Sequence, residues 1–179
     1  MTDAAVNYGQ ALYSLAKEET VESTVLRQME VLESSFAQEP AFLRLLASPN
    51  MSKDQRCAVI DESFRGKVHE YLLNFLKLLV EKRRIGCFFD CCKVYRDQYN
   101  QDHGIVSVYA VTAVALTQTQ HEKLRSKLEK ITGKTVELKN KLDPACLGGV
   151  RLDYDGKRID GTVKNRLDSV GELLKNTVL

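Results

Sequence analysis

The chain has 179 residues, 44% of them hydrophobic and 28% charged, with a net charge of +2. That is ordinary for a globular protein with one good core or two small ones, and the charge is too small to imply a nucleic-acid or membrane-surface partner. No apolar run approaches the roughly 18 residues that span a bilayer, and Met1-Thr2-Asp3-Ala4-Ala5 lacks a basic n-region, an apolar h-region or an Arg-rich transit segment, which predicts a bacterial protein kept in the cytoplasm.

From residue 4 to about 103 every apolar pattern has helical period. Tyr8, Leu12, Leu15 and Ala16 form a first stripe, with Val6 and Tyr13 off it; Val21, Val25, Met29, Leu32 and Phe36 form a second. Pro40 starts a short segment with Phe42, Leu45 and Leu46 that stops at Ser48-Pro49. Ser52 and Gln55 have capping-box spacing ahead of Val59, Ile60 and Phe64. After Gly66 a helix from Val68 to Val80 carries Tyr71, Leu72, Phe75, Leu76 and Leu79 on one stripe, with Leu73, Leu78 and Val80 elsewhere on its circumference. A helix so apolar is either central to a core or packed on one side and docked on the other. A last helix holds Ile85, Phe88, Phe89, Cys92, Tyr95 and Tyr99 and ends near His103-Gly104, a glycine cap.

Beyond Gly104 the pattern changes. Ile105 to Val114 is rich in β-branched residues and reads as a strand. Thr117 and Gln120 cap a helix that turns Leu124, Leu128 and Ile131 inward and ends at Gly133; Val136, Leu138 and Leu142 form a second strand. Val150, Leu152 and Tyr154 alternate with Arg151 and Asp153, and Asp155-Gly156 supplies a tight turn into a short return strand ending at Ile159. Asp160-Gly161-Thr162 then caps a helix that buries Val163, Leu167, Val170 and Leu174. The expected architecture is a two-domain α+β protein: an N-terminal six-helix bundle over 1–104, then a small β-sheet domain with two helices, β-α-β-β-β-α, over 105–179.

Chemistry-bearing motifs are scarce. There is no phosphate loop and no G-x-G-x-x-G. His69, His103 and His121 are scattered, without a nucleophile or carboxylate at catalytic spacing. Asp153, Asp155 and Asp160 lack the order of a calcium loop and suit turns better. Of five cysteines, Cys87, Cys91 and Cys92 sit in one helix, but Cys92 points about 100° from Cys91 and no C-x-x-C pair exists. Apolar packing and reduced thiols account for them better than a metal or redox cluster. Gly148-Gly149 is either a strand entry of unusual backbone angles or a close approach to a partner. Lys82-Arg83-Arg84 reads as a solvated helix end. Neither a catalytic residue, a metal site nor a cofactor is expected.

Three stretches together resemble one family. The segment Asp143-Pro144 through Gly148-Gly149, the Asp155-Gly156 turn and Ile159-Asp160-Gly161-Thr162-Val163-Lys164-Asn165-Arg166-Leu167 are similar to the C-terminal domain of the δ subunit of F-type ATP synthases, whose mitochondrial counterpart is the oligomycin-sensitivity-conferring protein. Cys146 stands where that family usually has an aliphatic residue. Tyr8-Gly9-Gln10-Ala11-Leu12-Tyr13-Ser14-Leu15-Ala16 resembles its opening helix, with Gly9 in place of a common alanine, either a close backbone approach or a tolerated loss of about 1 kcal/mol. Asn74-Phe75-Leu76-Lys77-Leu78-Leu79-Val80-Glu81-Lys82-Arg83-Arg84 resembles its N-F-L-x-L-L-x-E-[KN]-x-R helix.

The resemblance implies a non-catalytic stator subunit on the cytoplasmic face of the bacterial membrane, associated with it only through the complex. Its helical domain would receive the N-terminal helix of an α subunit between its first and fifth helices, at Tyr8, Ala11, Leu12, Leu15, Phe75, Leu76 and Leu79. Its second domain would hold the C-terminal end of the b subunits, with Val150, Ile159, Val163 and Leu167 as supporting core. An RNA-binding adaptor is the rival from another class, opposed by the near-neutral charge and the lack of a G-x-x-G loop or an aromatic RNA-binding motif.

Overall fold

Side-chain caps set where several of the helices begin. In the computed structural model, which describes residues 2–154, 156–165 and 167, the Thr2 hydroxyl accepts the Ala5 N–H and opens α1 (Asp3–Glu18). Next come α2 (Glu22–Gln38) and α3 (Pro40–Ala47), the latter with proline in its first turn, where a missing N–H is harmless. Ser52 and Gln55 form a reciprocal capping box at the start of α4 (Lys53–Phe64). His69 Nδ1 accepts the Tyr71 N–H to open α5 (Glu70–Glu81). A single 3-10 turn, Ile85–Cys87, leads into α6 (Phe88–Asp102).

The chain divides into two compact units, Met1–Tyr99 and Asn100–Leu179. In the first, one core draws on all six helices, including Leu12, Val25, Leu46, Ile60, Leu76 and Phe88. Phe36 is its aromatic centre, with ring centroids of Phe42, Phe64 and Phe88 at 5.7, 6.0 and 5.1 Å. The buried face of α1 is Ala5, Gly9, Leu12, Tyr13 and Ala16. This corrects the stripe read from hydropathy: Tyr13 is buried edge-on against Tyr95, 5.3 Å between centroids, while Leu15 is 40% exposed. The Tyr95 hydroxyl donates to the Glu22 carbonyl at 3.0 Å, which ties α6 to α2. Arg96 reinforces that seam, 2.6 Å from Glu33 and 3.4 Å from Glu30.

In the second unit β1 (Ile105–Thr112) leads through α7 (Gln118–Thr132) to β2 (Thr135–Leu142), followed by β3 (Val150–Tyr154) and β4 (Lys157–Asp160). The sheet order is β2-β1-β3-β4, with β1 and β2 parallel and the other pairs antiparallel. Val108 stands opposite both Leu138 and Tyr154. It is the middle of an apolar face that Leu116, Leu124 and Leu128 cover. α7 starts with the Thr117–Gln120 capping box and ends at Gly133 in the left-handed region. Two of its side chains also reach β2: Glu129 accepts the Val136 N–H, and His121 Nε2 donates to the Leu138 carbonyl at 2.9 Å.

Several residues expected inward are not. Ile131, in the last turn of α7, is 81% exposed and is not among the residues packed on the sheet, unlike Leu124 and Leu128. Leu142, at the end of β2, is 56% exposed. Ile159 is 56% exposed on an edge strand that has a neighbour on one side only. Val163 and Leu167 are also exposed; the chain before them is pinned through hydrogen bonds from Gly161 N to the Val150 carbonyl and from Val163 N to the Gly148 carbonyl. The turn at Asp155 and the burial of Val170 and Leu174 lie outside the described residues. Gly149 settles its own question. It has φ +78°, and a Cβ there would sit 2.5 Å from the Gly161 carbonyl oxygen. It is a strand entry in which two stretches of this chain's own backbone cross closely.

Candidate partner-binding site

The first and fifth helices pack side by side. Burial, and after it the neighbouring Glu19 just beyond the end of α1, raise the Tyr71 hydroxyl at the start of α5; these ends lie together, so the two helices run in opposite directions. Burial divides the expected site residues into two groups. Leu12, Phe75, Leu76 and Leu79 belong to the core, none more than 6% exposed. Tyr8 is half-buried, Ala11 is exposed and Leu15 is 40% exposed. Of these residues only Tyr8, Ala11 and Leu15 of α1 are open to an incoming side chain, and those of α5 are enclosed in the core. On α5 the accessible apolar residues are Leu78, 37% exposed, and the half-buried Tyr71. Hydropathy shows that these positions are apolar but not which way they face, so an outward leucine and an inward one read alike.

Several charged groups of this unit hold helices together. Lys53 lies 2.6 Å from Glu81 and so joins the start of α4 to the end of α5. Lys77, then Arg65, beside Asp61 hold its carboxyl below the usual range. Lys82, Arg83 and Arg84 are exposed at the end of α5, Arg83 with φ +56°.

The cysteines are packing residues. Cys91, Cys92 and Cys146 are buried, and Cys57 and Cys87 are half-buried. Burial, with Cys87 and Asp90 adding to it, pushes the Cys91 thiol up to about 12, and burial raises Cys92 as well. A thiol held protonated is neither a nucleophile nor a metal ligand at neutral pH. No group of three or more His, Cys, Asp or Glu among the described residues is placed to hold a metal ion.

In the second unit, the sheet face opposite α7 carries Lys139, Lys141, Arg151 and Arg158, and all but Lys141 have an acid partner among the described residues. Lys139 lies 3.0 Å from Glu137, while Arg158 and Arg151 lie 2.8 and 3.4 Å from Asp153. Arg158, and after it Arg151, keep the Asp153 carboxyl below its ordinary range. A face on which three of four cations are neutralised is a poor phosphate-backbone platform. No helix among the described residues is long and apolar enough to cross a membrane.

The family described as ATP synthase delta (OSCP) subunit matches residues 4–174. The ATP synthase subunit delta of Alkaliphilus oremlandii is 33% identical over 172 residues, 96% of each chain. The subunit of the same name from Clostridioides difficile is 31% identical over 175 residues, 97% of each. The one from Lactobacillus acidophilus is 34% identical, covering 94% of this chain and 92% of its own. Among solved structures, a chain of the Toxoplasma gondii mitochondrial ATP synthase hexamer superposes with a TM-score of 0.78 over 97% of this chain and 98% of its own; at 19% identity, this is a likeness of fold. A family match across nearly the whole length, joined to relatives above 30% identity, decides the matter: the chain belongs to the ATP synthase delta (OSCP) family of non-catalytic peripheral-stalk subunits.

Proposed function

We propose that this chain is the stator connector of a bacterial F-type ATP synthase. Its helical unit grips the N-terminal segment of an α subunit of the catalytic head, and its α+β unit grips the C-terminal end of the b subunits at the cytoplasmic face of the membrane. The observation that carries the first half is the outward apolar set of α1, with Leu15 40% exposed beside Tyr8 and Ala11, on a helix packed antiparallel to α5. An amphipathic partner helix is recognised by such anchors at spacings of three and four. The family match over 4–174 supports counterparts for both grips.

The work is mechanical. Ion flow turns the central rotor, which drags on the head, and the stalk resists that torque so that rotation is spent on ATP synthesis. Two domains on one chain each hold a different partner, so either contact raises the effective concentration at the other. The chain needs no catalytic group for this.

Catalytic heads stripped of this subunit and mixed with the purified chain test the reading. Wild-type chain is expected to co-sediment with the head, and an Ala11→Asp/Leu15→Asp variant to be lost from the pellet. Both positions face solvent, so the variant should keep the wild-type circular dichroism. Leu12→Asp or Leu76→Asp would instead place a charge inside the core. Co-sedimentation of the double variant at wild-type levels would remove this face of α1 from the site.

A further inference from the structure

On α2, the residues Thr24, Arg27, Gln28, Val31 and Leu32 follow one another at helical spacing and form one wall of an open cleft of about 310 Å³. The opposite wall is the α4–α5 connection, Lys67 and Val68. The cleft is a built feature. Gly66, with φ +75°, turns the connection back, and the His69 N–H donates to Gln28 Oε1 at 2.7 Å. Its lower part is closed by Leu32, 4% exposed, yet Val31 on its lip is 65% exposed. A lone surface valine needs no explanation; one set beside Val68 in a concavity, between two cations, does. Arg27 and Lys67 are both exposed, and among the described residues neither has an ion-pair partner. No acid lines the cleft.

We propose that this cleft is a docking site for an acidic amphipathic helix of a partner protein. Two turns of α2 separate Thr24 from Val31, about 10 Å. That matches a partner helix laid along α2 with one large apolar side chain seated against Val31, Val68 and Leu32. Carboxylates on either side of that anchor meet Arg27 and Lys67, and an opposite-charge rim guides encounter and rejects basic helices. The site is separate from the proposed α-subunit grip, since no residue of α1 or α5 lines it.

The test uses the full chain, labelled with nitrogen-15. A synthetic helix of about 15 residues, built of leucine and glutamate with leucines at helical spacing, is titrated in beside its lysine counterpart. The expected result is amide shifts at Thr24, Val31, Lys67 and Val68 with the glutamate peptide only, weakened by added salt. Arg27→Glu/Lys67→Glu should lower the affinity about tenfold with the melting curve unchanged. Val31→Ser, which leaves both charges in place, should also weaken it. The proposal is overturned by equal binding of the lysine peptide, by shifts that map to α1 and α5 instead, by wild-type affinity in both variants, or by no binding up to about 1 mM.

Discussion

Gly9 of α1 lies against Val94 of α6 so closely that a Cβ at position 9 would sit 2.8 Å from the Val94 Cβ and 3.0 Å from the Cys91 carbonyl oxygen. The glycine is the crossing point of two helices, and an alanine there would not fit without a shift of backbone.

Gly9→Ala is therefore expected to destabilise the chain. On an open helix the same change gains about 1 kcal/mol, but forcing a methyl into this contact costs about 1–3 kcal/mol, so the net loss should be near 1 kcal/mol. Val94→Ala in the same chain should rescue only part of it. It removes the Cγ1 contact at 3.0 Å, but the nearer Cβ remains. Urea midpoints of the four proteins check this, and a Gly9→Ala variant more stable than wild type would contradict it.

The five cysteines should divide into two classes. At pH 8 an alkylating reagent is expected to modify the half-buried Cys57 and Cys87 and to spare Cys91, Cys92 and Cys146 until the protein unfolds. Both lack of access and the raised Cys91 and Cys92 thiols act in that direction. Mass-spectrometric mapping of the alkylated peptides reads the result, and fast modification of Cys92 in the native protein would contradict the packing described.

Acid should weaken the fold through named carboxylates. Lys77 lowers Asp61, Arg158 lowers Asp153, and the Thr162 hydroxyl lowers Asp160. A carboxyl with a folded pKa below its unfolded value, about 3.9, contributes stability that is present above that pH and is lost as pH falls through the folded value. Melting temperature is thus expected to be level from neutrality to about pH 5 and to fall below about pH 4. The Asp61→Asn variant should melt lower than wild type at pH 7 and lose less on acidification. An identical acid limb in the two proteins would exclude Asp61 from the effect.

Much of the fold was legible because local chemistry decided it. Ser52 with Gln55 and Thr117 with Gln120 are capping boxes in sequence and in structure, and Gly133 stops α7 where a left-handed residue is needed. Where residues come to rest depends on what arrives from elsewhere in the chain, and there the pattern misled. Tyr13 is inside because Tyr95 receives its ring, and Leu15 is outside because α1 turns Ala5, Gly9 and Ala16 inward. Ile131 and Ile159 share a face with core residues but are themselves left exposed. For the candidate site this meant that Leu12, Leu76 and Leu79 were legible as apolar but not as buried, and that Leu78 was not legible as exposed.

The most direct measurement is calorimetric titration of the full chain with a peptide of the N-terminal segment of the same organism's α subunit. One-to-one binding is expected, weakened about tenfold or more by Leu15→Asp in a chain of unchanged circular dichroism. Absence of binding to folded wild-type chain, or wild-type affinity in both Leu15→Asp and Ala11→Asp, would contradict the claim that the outer face of α1 grips the head.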